Sequence, residues 1–81
     1  MKTNSSRVIE AAADYIETLF RQGKRIVTLN TFSGEEYVGT ICQPEVHRYS
    51  PLKIMLTLIP KGGEEHQTFD LSDISHIEPV N

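Results

Sequence analysis

The sequence contains a single cysteine, no hydrophobic run of membrane-spanning length and no excess of basic residues. Cys42 has no second cysteine with which to form an internal disulfide, which fits a reducing cytosol. A membrane-spanning helix needs about 20 apolar residues, and the N-terminus carries Lys2 and Arg7 without the apolar segment of a secretory signal. We therefore expect a cytoplasmic protein with no membrane partner.

The composition indicates one small folded domain, residues 1–81, with a net charge of −3. The 38% hydrophobic content and the absence of low-complexity runs argue against disorder. A chain of this length buries only roughly 60% of its unfolded surface, so association with further copies is a natural source of stability. The acidic balance argues against a general DNA-coating protein, which carries a basic excess.

The stretch of residues 24–42 predicts a hairpin of two strands. The first strand alternates, with Val27, Leu29 and Thr31 on one side and Ile26, Thr28 and Asn30 on the other. The pair Ser33-Gly34 predicts the turn, since glycine adopts positive φ without steric cost. Gly39 lies inside the second strand, where glycine marks a bulge, a sharp bend or a close backbone approach.

An amphipathic helix is predicted before this hairpin, over residues 6–22, with a frayed segment at residues 1–5. Gly23 is suited to end the helix. After the hairpin, Pro44–Pro51 predicts a loop, and Leu52–Ile59 a largely apolar central strand. Two further short strands follow, separated by a tight turn at residues 71–73.

The predicted fold is therefore mainly β: an N-terminal α-helix followed by a strongly bent five-stranded antiparallel sheet over residues 24–80. Short strands at even spacing predict a small barrel, and an SH3-like or an OB-type barrel fits the pattern equally well. Periodicity alone does not choose among these folds.

The hairpin resembles the first motif of the Sm/LSm family, to which the Hfq-type RNA chaperones belong. The residues that carry the resemblance are an aliphatic pair, two glycines with an aromatic between them, and a final aliphatic: Val27, Leu29, Gly34, Tyr37, Gly39 and Ile41. The order of one helix and five strands is similar along nearly the whole chain. The resemblance implies an Sm-like barrel that binds single-stranded RNA.

The resemblance also implies a homo-oligomeric ring of five to seven subunits. In such rings the fourth strand of one subunit pairs with the fifth strand of the next, which covers both open edges. The residues expected at this interface are Gln67, Thr68, Phe69, Ile74, Ser75 and His76. RNA is expected at the loop residues His47, Arg48 and Tyr49, because imidazole, guanidinium and phenol planes stack on bases, and at Ser72 in the region of the second family motif.

A second function class remains open, a protein-interaction or scaffolding ring on the same barrel without nucleic acid. The absence of a cation at residues 70–73 and the negative net charge favour this alternative. The basic residues Arg21, Lys24 and Arg25 lie where they complement a helix C-terminus, which we prefer to phosphate contact.

Catalysis and metal binding find little support in the sequence. The candidates Cys42, His47, His66 and His76 have no spacing typical of metal ligands. No phosphate loop or nucleophile elbow is present, and Asp70 with Ser72 more simply forms a capped turn. We expect no enzyme activity, cofactor, metal or small-molecule substrate.

Overall fold

A computed structural model of the chain describes residues 6–63 and 65–80. The predicted frayed segment, residues 1–5, lies outside the described residues. In chain order the elements are the helix α1 (Ser6–Arg21), the strands β1 (Ile26–Thr31), β2 (Glu36–Ile41), β3 (His47–Ser50), β4 (Lys53–Pro60) and β5 (Gln67–Asp70), a 3-10 helix (Leu71–Asp73) and the strand β6 (Ile74–Pro79). The predicted N-terminal helix and mainly β composition are confirmed.

Helix α1 ends in a glycine cap, as its sequence predicts. Gly23 has a φ of 81°, its backbone N–H donates to the Phe20 carbonyl at 3.1 Å, and the Lys24 N–H donates to the Leu19 carbonyl at 2.9 Å. These two bonds form a Schellman cap, which satisfies carbonyls that the end of a helix leaves without partners. The cap turns the chain directly into β1.

The predicted hairpin of β1 and β2 is also present, with Leu29 opposite Tyr37 and Asn30 opposite Glu36. Gly34 has a φ of 92° in the connecting turn. Gly39 faces Val27 on one side and Pro60 on the other, and a Cβ at this position would lie 2.7 Å from the Ile59 carbonyl oxygen. Glycine is therefore required at residue 39 by a close approach of two backbones.

The strands form one antiparallel sheet in which β6 pairs β1, β1 pairs β2, β2 pairs β4 and β4 pairs β5. Strand β3 pairs β4 on the edge that β2 also uses, because Met55 of β4 lies between His47 of β3 and Asp70 of β5. Within the described residues, β3, β5 and β6 each have one partner strand.

The prediction of five strands is wrong, since the sheet has six. The extra strand, β3, lies inside the segment Pro44–Pro51, which its two prolines had suggested was a loop. Both prolines fall outside His47–Ser50, so they remove no donor from that strand. Its backbone pairs with β4, with Arg48 opposite Ile54.

The core lies between α1 and the sheet. The helix contributes Ile9, Ala13, Ile16 and Leu19, all buried. The sheet and its connections contribute Val27, Leu29, Ile41, Val46, Ile54, Leu56, Leu58, Leu71 and Ile77. The three inward residues of β4 are completely buried, in agreement with its predicted central position.

Candidate functional site

Arg48 is held by a row of carboxylates on the helix. Its two terminal nitrogens donate to the two carboxylate oxygens of Glu17, each at 3.0 Å. Glu10 lies 3.7 Å from Nε and Asp14 lies 3.6 Å from Nη2. The three acids are spaced four and three residues apart, so they share one helix face. The candidate RNA ligand Arg48 thus bridges β3 and α1 and faces an excess of negative charge.

This contact alters both groups electrostatically. The hydrogen bonds from Arg48 lower the pKa of Glu17, and the same bonds raise the pKa of Arg48. A bidentate guanidinium–carboxylate pair is stronger than a single surface ion pair because both bonds are charge-assisted and their geometry is fixed. The side chains are 39% and 25% exposed for Arg48 and Glu17, so solvent screens part of the attraction.

His47 and Tyr49, the other two candidates of this segment, flank Arg48 on β3. Residues two apart on a strand project to the same face, and the two rings are nearly parallel, at 18°, with centroids 6.4 Å apart. Tyr49 is 67% exposed. The structure brings these two aromatic planes together and directs Arg48 elsewhere, to the helix.

Ser72, the remaining RNA candidate, is buried in the 3-10 helix with a relative exposure of 6%. Its hydroxyl donates to Oδ1 of Asp70 at 2.8 Å, and its backbone N–H donates to the same oxygen at 2.9 Å. The interpretation of Asp70 and Ser72 as a capped turn is confirmed. The hydroxyl of Ser72 therefore has a structural partner within its own turn.

The candidate interface residues lie on β5 and β6, two of the three strands that have a single partner. Gln67 and Thr68 of β5 are exposed, and Phe69 is half-buried. On β6, Ser75 and His76 are exposed while Ile74 is half-buried. The Ser75 hydroxyl donates to the Asn30 carbonyl at 3.2 Å. All six residues lie on β5 and β6, and their role at an interface stays a prediction.

A cleft of about 560 Å³ lies between β5 and the turn that joins β1 to β2. Its aromatic lining comes from Phe32, Tyr37 and Phe69, and its acidic lining from Glu35, Asp70 and Asp73. No lysine, arginine or histidine lines it among the described residues. Partial burial and the neighbouring Glu35 carboxylate raise the pKa of Tyr37. The cleft therefore combines apolar rings with negative charge.

The basic cluster at the helix–strand junction has local partners. The Arg25 guanidinium lies 4.6 Å from the centroid of the Phe20 ring, a cation–π contact. Arg21 lies in the last turn of α1 and donates to the Thr18 hydroxyl at 3.3 Å. Both contacts tie the end of the helix to nearby side chains.

The remaining polar candidates do not converge. In the described part of the chain, no three histidine, cysteine or acidic side chains are grouped so that they could hold a metal ion. Cys42 is half-buried, with Sγ 3.9 Å from the Thr40 carbonyl oxygen. None of the helices among the described residues has the length and apolar character needed to span a bilayer.

Sequence reasoning missed two features of these surfaces. The acid row of α1 was visible as a spacing pattern, but its partner Arg48 is 31 residues from Glu17 in the sequence. Phe32 gave a weaker signal, an aromatic residue in an otherwise polar turn. Tyr37 was singled out for the family resemblance, not as a lining residue of a cleft.

Comparison with known proteins identifies no relative: no family model, no curated protein and no solved structure matches the chain.

Proposed function

We propose that this chain is a non-enzymatic protein-interaction module, built on a small Sm-like barrel, that assembles with copies of itself through the edges of β5 and β6. The observation that carries the proposal is that each of these end strands pairs with one strand in the described chain. An unpaired edge presents backbone N–H and C=O groups that favour the addition of another strand.

The barrel is supported by the way the sheet is held together. The Gly39 backbone lies against Ile59 more closely than any side chain permits, which favours tight curvature at the β2–β4 junction. The Phe32 N–H donates to the Asp73 carbonyl at 2.9 Å, which ties the β1–β2 turn to the 3-10 helix. The bond continues the pairing of β1 with β6 as far as the 3-10 helix, and this helix connects β6 to β5 at the other end of the sheet, a connection that supports the proposed barrel.

Strand β5 lacks the usual protection against strand addition, whereas β6 has an irregularity in its pairing with β1 between Ile74 and His76 and ends in a proline. Natural edge strands carry lysine, proline or bulges that prevent pairing. Strand β5 reads Gln-Thr-Phe-Asp and contains neither lysine nor proline. In β6 the first proline is Pro79, its last residue. Because β5 and β6 differ, their pairing is head-to-tail, and such contacts close into rings when the rotation per subunit permits.

Charge favours protein binding over RNA binding. Arg48 is neutralised by Glu17 and faces two further carboxylates, and the chain as a whole carries −3. Phosphate backbones are bound by cations that release counterions. The surface formed by β3 and α1 offers an acid excess instead.

A mass measurement tests the assembly. We expect native mass spectrometry at micromolar concentration to give a homo-oligomer, five to seven copies by likeness to Sm rings. Thr68→Lys places a charge on the edge of β5 and is expected to shift the protein toward monomer. The matched control is Thr40→Lys, an exposed threonine on β2, whose two edges are both paired. A monomeric wild-type protein, or equal effects of the two variants, contradicts the proposal.

A second function, binding of single-stranded RNA, is favoured by one observation. The nearly parallel rings of His47 and Tyr49 are 6.4 Å apart, about twice the spacing of 3.4 Å along a nucleic-acid strand. A base can stack on such rings whatever its identity. In a ring of subunits this pair would repeat and act multivalently.

A further inference from the structure

We infer that the cleft between β5 and the β1–β2 turn binds an arginine side chain of a partner protein. The cleft is defined by its three aromatic and three acidic lining residues, Phe32, Tyr37, Phe69, Glu35, Asp70 and Asp73. The inference rests on the proposed protein-binding function and names the chemistry of the partner. It does not depend on self-assembly.

The aromatic lining supplies faces for a cation. The Tyr37 and Phe69 rings are in contact, with centroids 4.9 Å apart and planes inclined at 59°. Both rings pack partly against the core, which fixes their positions. Phe32 is 40% exposed at the end of β1. A guanidinium over an aromatic face is attracted by the ring quadrupole, and more strongly where water is partly excluded.

Glu35 and Asp70 supply negative charge, and no lysine, arginine or histidine among the described residues lines the cleft. Glu35 is exposed in the turn and accepts a bond from the Ser33 hydroxyl at 3.2 Å. Oδ1 of Asp70 is engaged by Ser72. Burial, and after it the negative potential of Glu35, raise the pKa of Tyr37 at this place. The cleft thus complements a positive charge and repels phosphate.

Arginine fits this combination better than lysine. A guanidinium is planar, so it stacks on a ring while its edge donates to a carboxylate. An ammonium is compact and strongly hydrated, and it loses more on leaving water. The orientation of Tyr37, inclined to Phe69 with Glu35 two residues earlier in the sequence, offers a face and an acid near each other.

The cleft is also accessible from the sheet edge. All four residues of β5 contribute to its lining. Successive residues of a strand point to opposite faces, so a cleft that all four line lies beside the edge of β5 that β4 does not pair. A partner segment that reaches this edge can place one side chain in the cleft. A bound peptide and a neighbouring copy of the chain then compete for the edge of β5.

The inference is tested by titrating the ¹⁵N-labelled protein with the blocked pentapeptide acetyl-Gly-Gly-Arg-Gly-Gly-amide. We expect chemical-shift changes at Phe32, Tyr37 and Phe69. The same peptide with citrulline, which keeps the shape of arginine without its charge, should bind about fivefold more weakly, the scale of a cation–π contact. Peptides with lysine and with trimethyl-lysine complete the series.

Variants locate the contact. Glu35→Gln is expected to weaken the arginine peptide about threefold, the scale of an exposed ion pair. Glu36→Gln, the neighbouring carboxylate that does not line the cleft, should leave the affinity within about twofold. Phe32→Ala should weaken binding, and Tyr49→Ala, an exposed aromatic elsewhere, should not. Phe32 and Tyr49 are both exposed, so we expect both alanine variants to keep the fold.

The titration is run at a concentration where native mass spectrometry gives a single state of the protein. The measured mass then shows whether the protein self-assembles, and the affinity for the arginine peptide shows whether the cleft binds arginine. Equal binding of arginine and citrulline peptides overturns the inference, as do shift changes confined to other surfaces. Tighter binding of trimethyl-lysine than of arginine overturns the choice of a guanidinium.

Discussion

At the scale of single residues, the carboxylates of the folded chain occupy the Arg48 guanidinium, which is then not free to bind a phosphate. Its fork geometry meets both oxygens of Glu17 at 3.0 Å, and Glu10 with Asp14 completes a row of acids around it. A lysine could not form the paired bonds, since its ammonium is a point charge. The residue that the sequence offered as an RNA contact links β3 to α1.

This link makes a prediction about pH. Arg48 holds the pKa of Glu17 below its ordinary 4.5, so the pair stabilises the fold above that pH and the stabilisation is lost as the pH falls through the lower folded-state value. We expect Glu17→Gln to lose about 1 kcal/mol of unfolding free energy at neutral pH. The gap between variant and wild type should narrow as the pH falls below 4.5, and it should close at an acidic pH below the lowered pKa of Glu17.

Urea denaturation at neutral pH and at the acidic pH measures this difference in unfolding free energy. Glu36→Gln is the control, because its carboxylate has a single long contact, with Asn30 at 3.5 Å. A loss that is the same at both pH values would assign the effect to packing rather than to charge.

At the scale of elements, the sheet depends on a close approach of β2 and β4. Gly39 lies opposite Pro60, and no Cβ fits between it and the Ile59 carbonyl. The adjoining β4 carries three completely buried residues. A change in the spacing of β2 and β4 therefore disturbs the packing of the core directly, since protein interiors are close-packed.

We predict that Gly39→Ala lowers the unfolding free energy by about 2 kcal/mol, since the added methyl must displace backbone rather than a flexible side chain. Gly63→Ala is the matched control, because its Cβ would meet the Pro60 carbonyl oxygen at 3.4 Å, an ordinary contact. It should stay within about 0.5 kcal/mol of wild type. Chemical denaturation of the two variants side by side measures this, and equal stabilities would contradict the steric argument.

The sequence predicts most of the elements because their signals are local. Gly23 and Gly34 end the helix and form the hairpin turn through their own φ values of 81° and 92°. Strand β3 was missed because its pairing is decided by β4. The nearby prolines Pro44 and Pro51 predicted a loop, but both lie outside the strand. The cleft was missed for a similar reason: Phe32 and Phe69 are brought together by the sheet, 37 positions apart in the numbering.

At the scale of the whole molecule, charge decides which partners are favoured. The acid row of α1, the acidic cleft and the total of −3 all oppose a polyanion. The proposal of RNA binding depends on the nearly parallel rings of His47 and Tyr49. Stacking is largely independent of salt, while phosphate contacts are not.

We expect binding to uridine-rich and adenine-rich single-stranded RNA to be weak and nearly flat across a salt series, because Arg48 is occupied by Glu17. If stacking does hold RNA, the double variant His47→Ala/Tyr49→Ala should weaken it about tenfold. Tyr15→Ala, an exposed aromatic on α1, is the control. Filter binding measures both, and a steep salt dependence would contradict our preference for protein partners.

The packing of α1 has a consequence for how this protein can be shortened. Of the thirteen buried hydrophobic residues in the described chain, four belong to the helix. A fragment beginning at Lys24 would keep every strand but expose the apolar inner face of the sheet to solvent. We expect such a fragment to aggregate, so its behaviour would not represent that of the intact protein. Studies of the strands in isolation are thus best made by substitution within the full-length polypeptide, not by trimming its first segment.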